Sequence, residues 1–249
     1  TADDWQQHKH RMAYDDGRIA ESTLATYQTA RERDQYVIYS GHACFHPTWA
    51  KIGMEQELMA MVERPDFITD LFTAQTQLMI DIYEGMCRMG MEFDAAWFFD
   101  DLGWTAAPLI SPEMYRELVF PHHKRLCDYF GDRNLKTILH SDGNIGPLIP
   151  HFLDAGFAAL HPLEAKAGLD VRTLKEPYGD RLVFFGNIDA RRLSGTREEI
   201  EEEIGTKISA AKEGGGYIYH SDHSVPSSVS FSDYCFAIEM VKKYGKYDD

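Results

Sequence analysis

Short apolar runs alternate with longer amphipathic stretches along most of the chain. The runs Tyr36–Tyr39, Ala95–Phe99, Thr137–Leu139, Ala158–His161, Leu182–Gly186 and Tyr217–Ser221 are rich in β-branched and aromatic residues and predict strands. Between them, Phe67, Leu71, Leu78, Ile82 and Met86 fall near helical spacing, so a long helix is expected over 66–89. A shorter, Met-rich helix over 54–62 precedes it and stops at Arg64-Pro65, because proline disfavours helix before it. The methionines there read as core filling. Ser111-Pro112-Glu113 opens another helix, running to about Phe130 with a break at Pro121. Helices are also expected over 145–155, 171–177 and 231–244, and after the Thr196-Arg197-Glu198-Glu199 capping box, where the acidic run 198–203 is a solvated face. Gly214-Gly215-Gly216 follows a helix and precedes a strand. That is the reverse of a phosphate cradle, so the triplet reads as a C-cap and turn.

Strands alternating with helices predict βαβ units, a parallel sheet and an α/β fold. Six runs are well marked, and a closed barrel needs eight strands. Either two strands are poorly marked or missing upstream, or the sheet is open. Residues 1–35 are polar and charged, with one helix expected over 21–33, and read as a peripheral lead-in to a single domain over 36–249.

Composition narrows the choice of partner. Of the 249 residues, 44% are hydrophobic and 26% charged, enough for a sizeable core. The net charge of −15 argues against nucleic acid and, more mildly, against a highly anionic substrate. The four cysteines are widely spaced, without a CxxC pair, and no leader sequence is visible, so a cytoplasmic, reducing setting is expected. No apolar run reaches membrane-spanning length.

Polar residues cluster just after the strands: His42, Asp100, His140, Glu164, Asp189 and His220. In parallel α/β folds this is the end that carries the site. Two strand ends share one pattern, His140-Ser141-Asp142-Gly143 and His220-Ser221-Asp222-His223. In an extended chain residues two apart share a face, so each copy pairs a histidine with a carboxylate. With Glu164, these residues fit a nitrogen/oxygen site for zinc or another divalent metal. The same residues also fit acid–base chemistry without metal, or a hydrogen-bonded network bracing the strand ends. Asp100 or Asp101 is a further functional candidate. His42, Cys44 and His46 would share a face if extended, with Cys44 a soft ligand or a buried, inert thiol. His122-His123, His8 and His10 read as structural or surface residues. Neither a GxSxG elbow nor a dinucleotide fingerprint is present.

Several segments in order resemble the uroporphyrinogen decarboxylase superfamily. They are the Asp100 segment leading into Ser111-Pro112-Glu113-Met114-Tyr115 and Pro121, His140-Ser141-Asp142-Gly143, the stretch 156–164, Phe185-Gly186-Asn187-Ile188-Asp189, Gly215-Gly216-Tyr217 and Lys243–Tyr247. The resemblance covers about residues 36–247. It implies a (β/α)8 TIM-barrel-like fold with its pocket at the C-terminal mouth. Relatives are usually longer at the N-terminus, which would account for the missing strands. One branch decarboxylates uroporphyrinogen and carries an N-terminal Arg-rich segment; residues 1–249 hold no such cluster, so either it lies upstream of Thr1 or the chain is not that enzyme. The other comprises methyltransferases that work with corrinoid proteins and hold zinc through a His-x-Cys and a later Cys. His140 matches that His, while Asp142 and Asp222 stand where the two Cys would be.

The resemblance therefore implies a corrinoid-linked methyltransferase or demethylase acting on a small molecule. His140, Asp142 and Asp222 would be the metal centre, and Asp100, Glu164 and His223 would bind or protonate substrate. A uroporphyrinogen decarboxylase and a non-catalytic corrinoid- or tetrapyrrole-binding protein are the alternatives, and a homodimer is expected from the family's habit.

Overall fold

Strand β1 (Ile38–His42) lies parallel to β2 (Ala95–Phe99), with Ile38 opposite Ala95 and His42 opposite Phe99. It begins later and ends later than the apolar run 36–39. The Asp94 carboxylate takes the Val37 amide at 2.6 Å and ties off the chain before the ladder starts, and Gly41 continues the strand.

The computed structural model describes residues 2–247, and its contacts divide them into two compact units. The first contains the residues up to Asp101 with 110–139 and 150–157. Its strands follow in the order β1, β2, β3 (Lys136–His140, the last residue falling in the second unit). Its helices are α1 (Ala2–His8), α2 (Ser22–Glu32), α3 (Phe45–Ile52), α4 (Met54–Glu63), α5 (Pro65–Arg88), α6 (Pro112–Met114), α7 (Phe120–Gly131) and α8 (Ile149–Ala155). Ser111 caps α6 by accepting the Met114 amide at 3.1 Å. The break expected at Pro121 is a π-helical turn, Tyr115–Val119, which lets Pro121 enter at the first turn of α7. There its missing N–H costs nothing and its ring escapes the carbonyl four residues back. Aromatic rings fill the core of this unit. Tyr39 stacks on Phe130 at 5.6 Å, Tyr83 meets Phe130 edge-on at 4.9 Å, and the Tyr39 hydroxyl donates to the Met79 carbonyl at 2.6 Å.

The second unit contains residues 102–109, 140–149 and everything from Ala158 onward. Parallel strands β4 (Ala159–His161), β5 (Val183–Phe185) and β6 (Tyr217–Ile218) again follow in sequence order. The helices are α9 (Val171–Tyr178), α10 (Arg197–Ala211) and α11 (Phe231–Tyr244). The capping box forms as expected: the Glu199 amide donates to Thr196 Oγ1 at 3.3 Å, and the Thr196 amide donates to Glu199 Oε2 at 2.8 Å. Ile188, Leu193, Ile200, Ile204, Ile208 and Ala237 form the core between α10 and α11. Gly214–Gly216 all take positive φ, making the turn before β6. The alternation and the parallel pairing make the fold α/β. Among the described residues no helix is long and apolar enough to cross a membrane.

One core residue is out of character. Glu57 on α4 is fully buried and neither carboxylate oxygen finds a hydrogen-bond partner. Burial, reinforced by the nearby Asp100 charge and opposed by Lys51, pushes its carboxyl from 4.5 up to about 9. The folded chain therefore keeps this proton where the unfolded chain has lost it. Stability falls by about 1.4 kcal/mol per pH unit as pH rises from the unfolded toward the folded value. Glu57→Gln is expected to match the parent near pH 4 and to exceed its stability by about 3 kcal/mol at pH 7. Urea unfolding at the two pH values reads this directly, and a pH-independent difference contradicts it.

Candidate functional site

The pocket in the second unit is built on the ends of β3, β4 and β6. Its volume is ≈ 170 Å³, and it is lined by His140, Asp142, His161, Pro162, His220, Asp222, His223 and Ser224. Both His-Ser-Asp segments contribute, so His140, Asp142, Asp222 and His223 are brought together. His161 is an addition that sequence reasoning left as an ordinary strand residue. Yet its run, too, ends in a histidine, followed by Pro162-Leu163-Glu164.

The turn carrying His140 and Asp142 is held from two sides. Ser141 Oγ accepts the Leu102 amide at 2.9 Å, and the Asn144 amide donates to the Trp104 carbonyl at 2.7 Å. Residues Leu102–Leu109 form a small hairpin with a Gly103–Pro108 bridge. Its backbone lies so close to Gly143 (φ 82) that a Cβ at either glycine would collide, the one at Gly103 reaching the Asp142 carbonyl at 2.5 Å. On the other side Glu164 Oε2 accepts the Gly143 amide at 2.8 Å, while Oε1 pairs with Lys166 at 2.5 Å. Glu164 is thus a buried brace outside the pocket lining.

Asp222 lines the pocket but is heavily engaged. Its Oδ1 accepts the Ala190 amide and its Oδ2 the Ala165 amide, each at 2.9 Å. Burial raises its carboxyl above the ordinary value, and the two amides hold that rise back. Asp142 is more open, about a third exposed, with Oδ1 3.8 Å from His140 Nε2. The rim residue His223 accepts the Ser224 amide on Nδ1 at 2.9 Å, so its neutral ring carries hydrogen on Nε2.

The three remaining imidazoles face one another. His140 Nδ1 lies 2.7 Å from His161 Nδ1, and His161 Nε2 lies 3.2 Å from His220 Nδ1. Burial first, and then its two histidine neighbours, lowers His161 to about 3, so it is neutral at ordinary pH. β6 ends at Ile218, short of the expected Ser221, but the His220 carbonyl still accepts the Ile188 amide at 3.3 Å, and the His220 ring lies beside His161 and Phe185.

Asp100 lies in the first unit and is fully buried. Its oxygens accept the amides of Cys44 (3.4 Å), Phe45 (3.3 Å) and His46 (2.7 Å). It thereby caps α3, and residues 45–52 are helical, so His42, Cys44 and His46 do not form the shared face that an extended run would give. His123 Nε2 meets Asp100 Oδ2 at 2.7 Å, and His123 Nδ1 meets the Tyr115 hydroxyl at 2.9 Å. Cys44, Asp100 and His123 stand within 4.8 Å of one another, but both ring nitrogens of His123 are taken and burial keeps the Cys44 thiol protonated. This group is a hydrogen-bonded brace. Asp101 pairs with His46 Nδ1 at 2.9 Å. A larger cavity of ≈ 350 Å³ between α2 and β1 is lined by aliphatic, thioether and hydroxyl groups, with no carboxylate or imidazole.

The family model described as uroporphyrinogen decarboxylase (URO-D) matches residues 49–244. The chain belongs to the uroporphyrinogen decarboxylase family. Two curated relatives, both uroporphyrinogen decarboxylases, share low identity with it. The one from Psychromonas ingrahamii is 23% identical over 176 residues, 69% of this chain and 46% of the relative. The one from Pseudoalteromonas translucida is 24% identical over 189 residues, 72% of this chain and 49% of the relative. The chain therefore spans about half the length of the curated relatives it matches. A solved methyltransferase from Methanosarcina mazei superposes with a TM-score of 0.69 at 19% identity, over 89% of this chain and 63% of that one. At that identity the likeness shows the fold, which is that of the family's TIM-barrel-like α/β enzymes.

The geometry separates bracing carboxylates from an open one. Asp100→Ala is expected to cost about 3–5 kcal/mol by stranding a buried imidazole and three amides. Asp142→Ala should cost less than about 1 kcal/mol, because its side chain is partly solvated. Chemical denaturation of the two variants checks the ranking, and a larger loss for Asp142→Ala reverses it.

Proposed function

We propose that the chain is a methyltransferase-type enzyme of the uroporphyrinogen decarboxylase family that works with a corrinoid-bearing partner protein and holds a divalent metal, zinc first, at the His140 pocket. The supporting observation is the pocket's donor set. Imidazoles and carboxylates line it, and neither Arg nor Lys is among the lining residues. Neutral imidazole and carboxylate suit zinc and its first-row neighbours. A decarboxylase acting on a polycarboxylate would need cationic side chains opposite the acid groups, and a net charge of −15 makes anionic substrates less welcome still.

His140 and Asp142 would hold the metal, and Asp222 would add the lone pairs that its two amides leave. Held by nitrogen and oxygen donors, a divalent ion would supply stronger Lewis acidity there than among thiolates. His223 presents its Nε2–H from the rim as a hydrogen-bond donor to a small substrate. Glu164 and Asp100 keep the strand-end turns in place. A carboxy-lyase is the second reading, favoured by the names of the two curated relatives.

Elemental analysis after metal-replete expression should find one metal per chain in the parent, and His140→Ala should bind it at least about 10-fold more weakly. Loss of methyl from methylcobalamin, followed by its visible spectrum, is expected in place of CO₂ release from uroporphyrinogen. A metal-free parent overturns the metal centre. CO₂ release without methylcobalamin turnover makes the chain a carboxy-lyase.

A further inference from the structure

We infer that His220, His161 and His140 form a directional hydrogen-bonded chain of imidazoles in which His161 is a positioning residue that sets the tautomer of His140. The orientation of that chain follows from its hydrogen-bond contacts alone, and its response to metal rests on the metal reading above.

The direction is fixed at one end by a carbonyl. His220 Nδ1 is in hydrogen-bond contact with the Ser221 carbonyl oxygen, which can only accept, so His220 Nδ1 carries the hydrogen. His161 Nε2 faces that same N–H at 3.2 Å and must therefore present its lone pair, since two N–H groups would repel. A neutral His161 then carries its hydrogen on Nδ1. That nitrogen lies 2.7 Å from His140 Nδ1, which must accept. His140 is left with its hydrogen on Nε2, on the side where Asp142 Oδ1 lies at 3.8 Å. Hydrogens and lone pairs thus alternate from His220 through His161 to His140, ending with a hydrogen on His140 Nε2. His161 is held in place for this task, 6% exposed and packed edge-on against Phe185 at 5.0 Å.

The chain therefore places a hydrogen on His140 Nε2, where a metal ligand needs a lone pair. If Nε2 becomes a ligand, the chain must invert. The Nε2 proton of His140 leaves to solvent, and the His161 Nδ1 proton passes to His140 Nδ1. The His220 Nδ1 proton passes to His161 Nε2, and His220 takes a proton from solvent at its own Nε2. No net proton is released and only N–H bonds change. The inverted chain sets the His220 Nδ1 lone pair against the Ser221 carbonyl, so this end opposes occupancy. His161 supports occupancy by orienting His140.

Long-range ¹H–¹⁵N correlation spectra of histidine-labelled protein read each tautomer directly. Without metal, His220 and His161 are expected as Nδ1–H and His140 as Nε2–H. His161 as Nε2–H, or as an imidazolium at neutral pH, overturns the assignment. On titration with zinc all three should invert together. If zinc binds while His161 and His220 keep their tautomers, the coupling is wrong. If zinc does not bind, the metal reading fails and the metal-free spectrum alone decides the chain. His161→Asn, which can still donate to His140 Nδ1, should keep the His140 signal but silence the response of His220. His161→Phe should weaken zinc binding about 10- to 100-fold, whereas His220→Phe should leave it unchanged or tighten it. Equal weakening by both substitutions is the result a purely structural role would give, and it overturns the proposal. Circular dichroism establishes that each variant is folded before its affinity is read.

Discussion

A buried backbone amide must find an acceptor, and at the strand ends of this protein carboxylates and one carboxamide supply several of them. Asp100 takes the amides that open α3, Glu164 takes Gly143, and Asp222 takes Ala165 and Ala190. Asp189 takes Arg191, and Asn187 Oδ1 takes Val171. Each pairs a fixed side chain with a loop that has no ladder of its own, in places where an unpaired N–H would cost about 1–3 kcal/mol. The loops at this end of the fold are ordered because these side chains are committed to them.

That commitment decides what is left for chemistry. Of the acidic residues after the strands, Asp142 keeps a partly open carboxylate facing the pocket, and Asp222 has spare lone pairs only. The groups that remain reactive are mostly imidazoles. Such a site works through proton position and nitrogen donors, and the bracing carboxylates shape it from behind without entering it.

The strand–helix alternation was legible because each element buries one face, so its period is written in the residues. Ala95–Phe99 is a strand as expected, and the Thr196 capping box is local enough to be read from four adjacent residues. Helix α3 was not legible. Its cap is Asp100, 56 residues away from Cys44, and nothing within His42–Pro47 announces it. The meeting of the His220 and His161 rings was not legible for a similar reason: it spans 59 residues. The shared strand-end position of His140, Asp142, Asp222 and His223 was visible as a repeated pattern. The distinction between brace and open donor was not, because it depends on which loop amide each carboxylate meets. His161 carried a signal of its own, a third apolar run ending in histidine.

The near contact of Gly103 with Gly143 bears on how this protein can change. Each glycine leaves the space the other's backbone occupies, so neither position can take a side chain while its partner's main chain stays put. The hairpin 102–109 and the turn that carries His140 and Asp142 are thereby one inherited block. Drift in one cannot be rescued by a single change in the other. A designer who wished to move this pocket to another scaffold would have to carry both segments together, although residues 110–139 lie between them.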